Sequence, residues 1–185
     1  VPYLDMPLQH LHPEVLQKMK RPYRDVNTFE AIDRLRAASP EVALRTTFIT
    51  GFPGETEEHF EFLLDGVKKT RFRRMGAFPF SEEEGTPSAE MKPKVPKRMR
   101  KARFDRLMRL QAGISAELNA EMVGRDLRVL VEEQIGDNRY LARSTADAPE
   151  VDGTVIVTSR EALRLGEFAD VRITGSDVYD LFGEV

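Results

Sequence analysis

The spacing of apolar residues changes once along this chain, at Gly124, and that change limits what the chain can fold into more than any other feature. Before it, strand and helix periods alternate. Tyr3 to Leu8 reads as a short buried strand, and Pro13 then opens a helix carrying Val15, Leu16 and Met19. Asn27, with Glu30 three residues on, marks the start of a second helix whose Phe29, Ile32, Leu35 and Ala38 share a face. Val42 to Thr50 is rich in β-branched residues and predicts the next strand. Gly51-Phe52-Pro53-Gly54 breaks it, and Thr56 caps a helix bearing Phe60, Leu63, Leu64 and Val67. Phe72 to Phe80 predicts a third strand.

Alternation of this kind predicts βαβ units around a parallel sheet. Three strands are too few to stand alone, because parallel sheets are covered on both faces and an open edge invites pairing. The expectation is therefore the second half of a larger (β/α) barrel, and the opening Val-Pro-Tyr-Leu-Asp reads as the middle of a strand in a fragment. Ser81 to Pro96 is a polar connection. Lys97 to Met122 then forms a long amphipathic helix with Phe104, Leu107, Met108, Ile114, Leu118 and Met122 near one stripe. Beyond Gly124, short runs at 127–131, 154–157, 169–173 and 179–182 are separated by Gly and Asp, which predicts a small antiparallel five-stranded barrel of OB-like size. The domain boundaries expected are 1–118 and 119–185.

The sequence has no cysteine, which excludes disulfides, thiolate nucleophiles and cysteine-held iron–sulfur or zinc sites within these 185 residues. With only His10, His12 and His59 available, no metal site and no catalytic nucleophile are expected. No apolar run is long enough to span a bilayer, and a cytoplasmic protein without membrane contact is expected. Charge is unevenly spread. From Asn119 onward there are seven Lys and Arg against fourteen Asp and Glu, a balance of −7, leaving 21 against 17, or +4, for residues 1–118. The two parts therefore face different electrostatic partners.

Several segments carry chemistry or a plainer alternative. Asp5 to His10 places polar side chains at the carboxyl end of a parallel strand, where barrel active sites are built, although a solvated strand end has the same composition. Arg45 to Thr56 joins a buried strand to a glycine turn and a helix start, allowing close backbone approach to a ligand or simply a tight turn. Arg45, on a strand otherwise made of Thr, Phe, Ile and Leu, needs an anionic partner if it points inward and none if it points to water. The run Lys92 to Arg109 has nine basic residues and one acid, Asp105. It reads as a solvated helix face, with contact to RNA phosphates as the secondary reading. Asp147, Glu150 and Asp152 surround Pro149 in a loop, either a soluble turn or an acidic patch awaiting a cationic partner.

Taken together, Tyr3-Leu-Asp-Met-Pro-Leu-Gln-His10, Val15 to Met19 with Arg21, Arg45 to Thr56, Ser81-Glu-Glu-Glu-Gly-Thr86 and Gln111-Ala-Gly-Ile-Ser115 closely resemble the radical-SAM methylthiotransferases, nearly end to end. Within that family, Pro-Leu-Gln-His and Asp147-Ala-Pro-Glu-Val-Asp-Gly153 are similar to the branch that modifies an aspartate of small-subunit ribosomal protein twelve. The resemblance implies a TRAM domain at 119–185 and two 4Fe–4S clusters in the complete enzyme. One of these cleaves S-adenosylmethionine to a 5′-deoxyadenosyl radical. None of the cluster cysteines is present here, so this chain alone is expected to bind neither cluster and to be inactive.

Position by position, the resemblance makes Gln9 the ribose contact of S-adenosylmethionine and Arg45 its carboxylate contact. Ile49 and Gly51 fall on the adenine-contacting strand motif, with Thr47 where many members have glycine, and Phe80 lies in a strand whose backbone meets adenine. Gln9 and Arg45 are expected to point into one open cleft at the carboxyl ends of the strands. Asp147, Glu150 and Asp152 are expected to meet a basic ribosomal protein. Transfer-RNA methylthiolation is the neighbouring reading, and a non-catalytic RNA- or ribosome-binding module is the alternative of a different class. The −7 balance of the C-terminal part favours a basic protein over a phosphate backbone.

Overall fold

The computed structural model describes residues 1–21 and 27–185. The chain forms two compact units, one of Leu4–Gln111 and one of Ala112–Val185 with Val1–Tyr3. Among the described residues no helix is long and apolar enough to cross a membrane.

The first unit is built on the parallel strands β1 (Tyr3–Asp5), β2 (Ala43–Thr50) and β3 (Arg74–Pro79), in that spatial order. β2 and β3 pair from Arg45 opposite Arg74 to Thr50 opposite Pro79. β1 stops at Asp5 rather than at Leu8: Met6 N–H still donates to the Arg45 carbonyl at 2.9 Å, but Leu8 N–H meets a side-chain hydroxyl where the ladder would have a backbone carbonyl. The Thr46 hydroxyl fills the gap, donating to the Met6 carbonyl at 2.9 Å and accepting from the Leu8 amide at 3.3 Å. Pairing resumes at Gln9, opposite Phe48.

Four helices accompany these strands: α1 (Pro13–Lys18), α2 (Thr28–Ala38), α3 (Glu57–Thr70) and the short α4 (Pro87–Glu90). The last was not anticipated within the polar connection. Asn27 caps α2 through Phe29 N–H. Thr56 caps α3 reciprocally: its hydroxyl accepts from His59 N–H and His59 Nδ1 accepts from Thr56 N–H, both at 3.2 Å. Leu44, Thr46, Phe48 and Thr50 of β2 are buried, and with Phe60, Leu63, Val67 and Phe72 they make the core of this unit. The alternate residues Arg45, Thr47 and Ile49 face the other side of the sheet and are only half-buried.

Helix α5 (Lys97–Ala120) is where the sequence reading needs correction. Its buried positions are Arg100, Arg103, Leu107, Gln111, Ile114, Ser115 and Asn119, so the stripe at helical spacing begins with two arginines. The basic run is therefore not a wholly solvated face. Two of its guanidiniums are interior and paired with carboxylates.

The second unit contains a closed barrel in the order β4 (Asp126–Gly136), β5 (Arg139–Arg143), β6 (Val155–Thr158), β8 (Leu181–Glu184), β7 (Phe168–Ser176). Five strands close as expected, but β6 and β8 run parallel. Parity requires this, since strands cannot alternate direction all the way round an odd-numbered ring. Alternate residues Val129, Val131, Tyr140, Ala142, Val155, Val157, Val171, Ile173 and Leu181 fill the interior. The Tyr140 hydroxyl, the polar end of that core, accepts from the Leu163 amide at 3.2 Å.

Candidate functional site: a cleft at the carboxyl ends of the parallel strands

A cavity of about 840 Å³ opens at the carboxyl ends of β1, β2 and β3. Gln9, Thr47, Ile49, Phe52, Phe80 and Ser81 are among the residues that line it, together with Met19, Phe78 and Met91. Its size and its largely apolar wall with a few polar groups suit a nucleoside-sized ligand. Gln9 reaches it from a left-handed backbone, φ 67°, which is uncommon for a residue with a side chain. Two bonds impose that conformation: Gln9 N–H donates to the Thr47 carbonyl and the Gln9 carbonyl accepts from Ile49 N–H, each at 2.8 Å. The Gln9 amide side chain is thus presented from a rigid position.

Of the residues expected in the cofactor site, Gln9, Ile49 and Phe80 line the cavity. Arg45 lies on the cleft face of β2, not on the helix-packed face, but below the cavity, and its Nη1 meets Asp5 Oδ2 at 2.7 Å. An internal carboxylate therefore supplies the anionic partner expected for an Arg45 that does not simply point to water. Gly51 does not line the cavity. It turns the chain out of β2 at φ +73°, and its N–H donates to Glu55 Oε2 at 2.8 Å. Both backbone groups of Phe80 are engaged within the protein: its N–H donates to the Thr50 carbonyl at 2.8 Å and its carbonyl accepts from Arg100 at 3.0 Å. What Phe80 offers the cleft is its ring, packed edge to face with Phe52 at 5.2 Å.

Behind this wall lies a buried charged group that the motif reading passed over. The Glu55 carboxylate is fully enclosed and accepts from Gly51 N–H and, at 2.8 Å, from Arg103 Nη1. Burial pushes the Glu55 carboxyl up, while Arg103 and the Gly51 amide pull it down. His10 Nε2 stands 3.7 Å from Glu55, beyond hydrogen-bonding distance, and His10 Nδ1 accepts from His12 N–H at 2.9 Å. Burial, reinforced by His12, His59 and Arg103, holds His10 down to about 3, so it is neutral with its proton on Nε2. Stepping back from Leu107 by four and then three residues lands on Arg103 and Arg100. That spacing was the available signal for two interior arginines.

In the second unit, the acidic loop is not three carboxylates displayed to solvent. Asp147 is buried and accepts from the Ser144 hydroxyl at 2.5 Å. Asp152 accepts from Ala148 N–H at 2.8 Å and from the hydroxyl of Tyr3, which groups with this unit, at 2.7 Å. These donors relieve the repulsion expected from composition. Glu150 alone is exposed, at φ 62°.

A parallel α/β unit with a nucleoside-sized cleft at its strand ends, joined in sequence to a five-stranded barrel, defines a radical-SAM protein carrying a TRAM domain: the Radical SAM superfamily matches residues 1–66 and the TRAM domain residues 123–185. Within that class, the chain belongs to the radical-SAM methylthiotransferase family, matching a C-terminal part of its members. It is 48% identical over 185 residues to the ribosomal protein uS12 methylthiotransferase RimO of Carboxydothermus hydrogenoformans, covering all of this chain and 42% of that protein. To the RimO of Desulfitobacterium hafniense it is 49% identical over 183 residues, 99% of this chain and 41% of that protein. The chain thus spans about two fifths of the length of these relatives.

Proposed function

We propose that this chain supplies the S-adenosylmethionine-binding strand ends and the TRAM barrel of an enzyme that methylthiolates an aspartate of ribosomal protein uS12. The observation that carries the reading is the cleft at the strand ends, formed within a sequence that matches the uS12-modifying relatives along its whole length. S-adenosylmethionine supplies the radical chemistry when bound. Gln9 would offer the ribose an amide that can donate and accept, Ile49 and the Phe80 ring would give adenine apolar surface, and Gly51 lets the chain turn away without filling the slot. Arg45 lies on the same face with Asp5 as a counterion that a ligand carboxylate would displace or share.

An iron–sulfur cluster does not fit the donor set, because there is no cysteine in the sequence. This chain alone is accordingly inactive, and in the complete cytoplasmic enzyme both clusters are held by residues outside it. The second unit docks a basic ribosomal protein, with RNA contact secondary.

Calorimetric titration of the chain with S-adenosylhomocysteine tests the cofactor reading. Binding should weaken in Gln9→Ala, and in Arg45→Ala by about 1.5–3 kcal/mol, the worth of a hydrogen bond to a charged group. No binding by the unsubstituted chain, or equal binding by both variants, would overturn it.

A further inference from the structure

Arg100 is buried, and its contacts cannot be explained by solubility or by RNA binding. Its Nε donates to the Val95 carbonyl at 2.7 Å, Nη1 to the Phe80 carbonyl at 3.0 Å and Nη2 to Glu82 Oε1 at 2.6 Å. Each arm of the planar fork therefore has its own acceptor, a geometry lysine cannot reproduce. The guanidinium carbon also lies 5.3 Å from the centre of the Phe80 ring, close enough for cation–π attraction. The stem is equally committed. A Cβ built on Gly51 would lie 2.4 Å from Arg100 Cγ and 2.9 Å from Arg100 Cβ, so the arginine stem occupies the space a side chain at position 51 would need. The Arg100 carbonyl, finally, accepts from the Thr50 hydroxyl at 3.2 Å. One residue of α5 thus touches the last residue of β2, the turn that follows it, and the residue that follows β3.

We propose that Arg100 is a positioning residue for the cleft. By fixing the Phe80 carbonyl from behind and bracing the Gly51 turn with its stem, it sets the separation of the two walls between which a planar base is held. The inference rests on the cofactor reading above. It adds that the shape of the adenine slot is held by α5, outside the strands that line it. Glu82, which also pairs with Lys94, is held well below the usual carboxylate range, to about 2, by its bonds to Lys94 and Arg100, so the clamp stays charged across the physiological range.

The test is titration of the whole chain with S-adenosylhomocysteine, comparing the unsubstituted protein with Arg100→Ala, Arg100→Lys and, as an exposed control on the same helix, Arg106→Ala. Arg100→Ala should lose about tenfold in affinity, equivalent to ~1.4 kcal/mol. Arg100→Lys should lose nearly as much and Arg106→Ala little. Millimolar guanidinium, but not the same concentration of sodium ion, should restore Arg100→Ala by occupying the vacated fork, a rescue that general destabilisation does not give. Undiminished binding by Arg100→Ala, or a loss that guanidinium leaves untouched, overturns the proposal. If the unsubstituted chain does not bind, the cofactor reading fails, and positioning is then judged by amide exchange in the ligand-free chain. Arg100→Ala should speed exchange at Phe80 and spare Phe48; unchanged protection at Phe80 overturns the positioning role on its own.

Discussion

Replacing Arg103 with Met keeps much of the stem and removes the guanidinium that meets Glu55 Oε1 at 2.8 Å, the Glu55 carbonyl at 3.1 Å and Glu57 Oε2 at 3.0 Å. Glu55 would then sit fully buried with the Gly51 amide but without its cation. Breaking a buried pair by removing one partner costs about 3–5 kcal/mol. Two considerations place this case near the lower limit. The Glu57 arm is half exposed and contributes little, and Glu55, which burial already pushes up, can take a proton to shed its charge. The expected loss is ~3 kcal/mol, against less than ~1 kcal/mol for Arg106→Met, whose pairs with Glu57 and Glu61 are open to water.

Because the chain has two compact units, a single global transition is a poor measure. Urea dependence of amide exchange at Phe60 in α3 reads the relevant unit directly. Adding Glu55→Gln to Arg103→Met should recover about 1 kcal/mol or more, since a neutral amide oxygen can still accept from Gly51 without leaving a bare charge. Equal losses in the Arg103 and Arg106 variants, or no recovery in the double variant, would refute the buried-pair account.

Other outcomes follow from the same structure. His10 is held neutral down to about pH 3 in the folded chain, whereas an unfolded histidine gains its proton near 6.5. Stability contributed by this site should therefore be intact above about pH 6.5 and decline toward pH 3, by up to ~1.4 kcal/mol per pH unit, and His10→Phe should flatten that slope in pH-dependent denaturation. Thr56→Ala removes the hydroxyl cap of α3 and should cost about 1 kcal/mol by thermal denaturation. In titrations with uS12 across a salt series, Glu150→Gln should weaken binding modestly and shallow the salt dependence. Asp147→Asn should instead loosen the loop, detectable as faster exchange at its amides. Identical affinity of Glu150→Gln and the unsubstituted chain would remove the loop from the docking surface.

What the sequence revealed followed from periodicity and turn chemistry. The three parallel strands, the caps at Asn27 and Thr56 and four of the five barrel strands came from local pattern, because strands and caps announce themselves within a few residues. The barrel strand Arg139–Arg143 was passed over, since only Tyr140, Leu141 and Ala142 are apolar and two arginines bound them. The Arg100 and Arg103 sites were hidden for a different reason. A buried arginine depends on acceptors far away in sequence, Phe80, Glu82 and Glu55, and composition shows the cation without its partner. The acidic loop misled in the opposite sense: Asp147 and Asp152 accept from the Ser144 hydroxyl and the Ala148 amide, groups that charge counting does not register.

The proposed preference for a basic protein over transfer RNA does not depend on that loop. In the second unit, Arg143 pairs with Glu132 at 2.8 Å, Arg172 with Asp126 at 3.0 Å and Arg164 with Glu167 at 3.5 Å, while Arg128 lies over the Phe168 ring. The three carboxylates offset the field of their arginines, so a phosphate backbone would meet little net positive charge there. Glu133, Asp137, Glu161, Asp170 and Glu184 meanwhile remain on the surface, so the −7 balance from Asn119 onward is carried by several faces of the barrel. A polyanion approaching such a surface is repelled at distances up to about a Debye length, roughly 8 Å at physiological ionic strength, and a lysine- and arginine-rich protein is drawn in. Raising salt should therefore weaken uS12 binding and, if transfer RNA binds at all, should not weaken that binding through this barrel; steep salt-induced loss of transfer RNA from the chain would reverse the assignment.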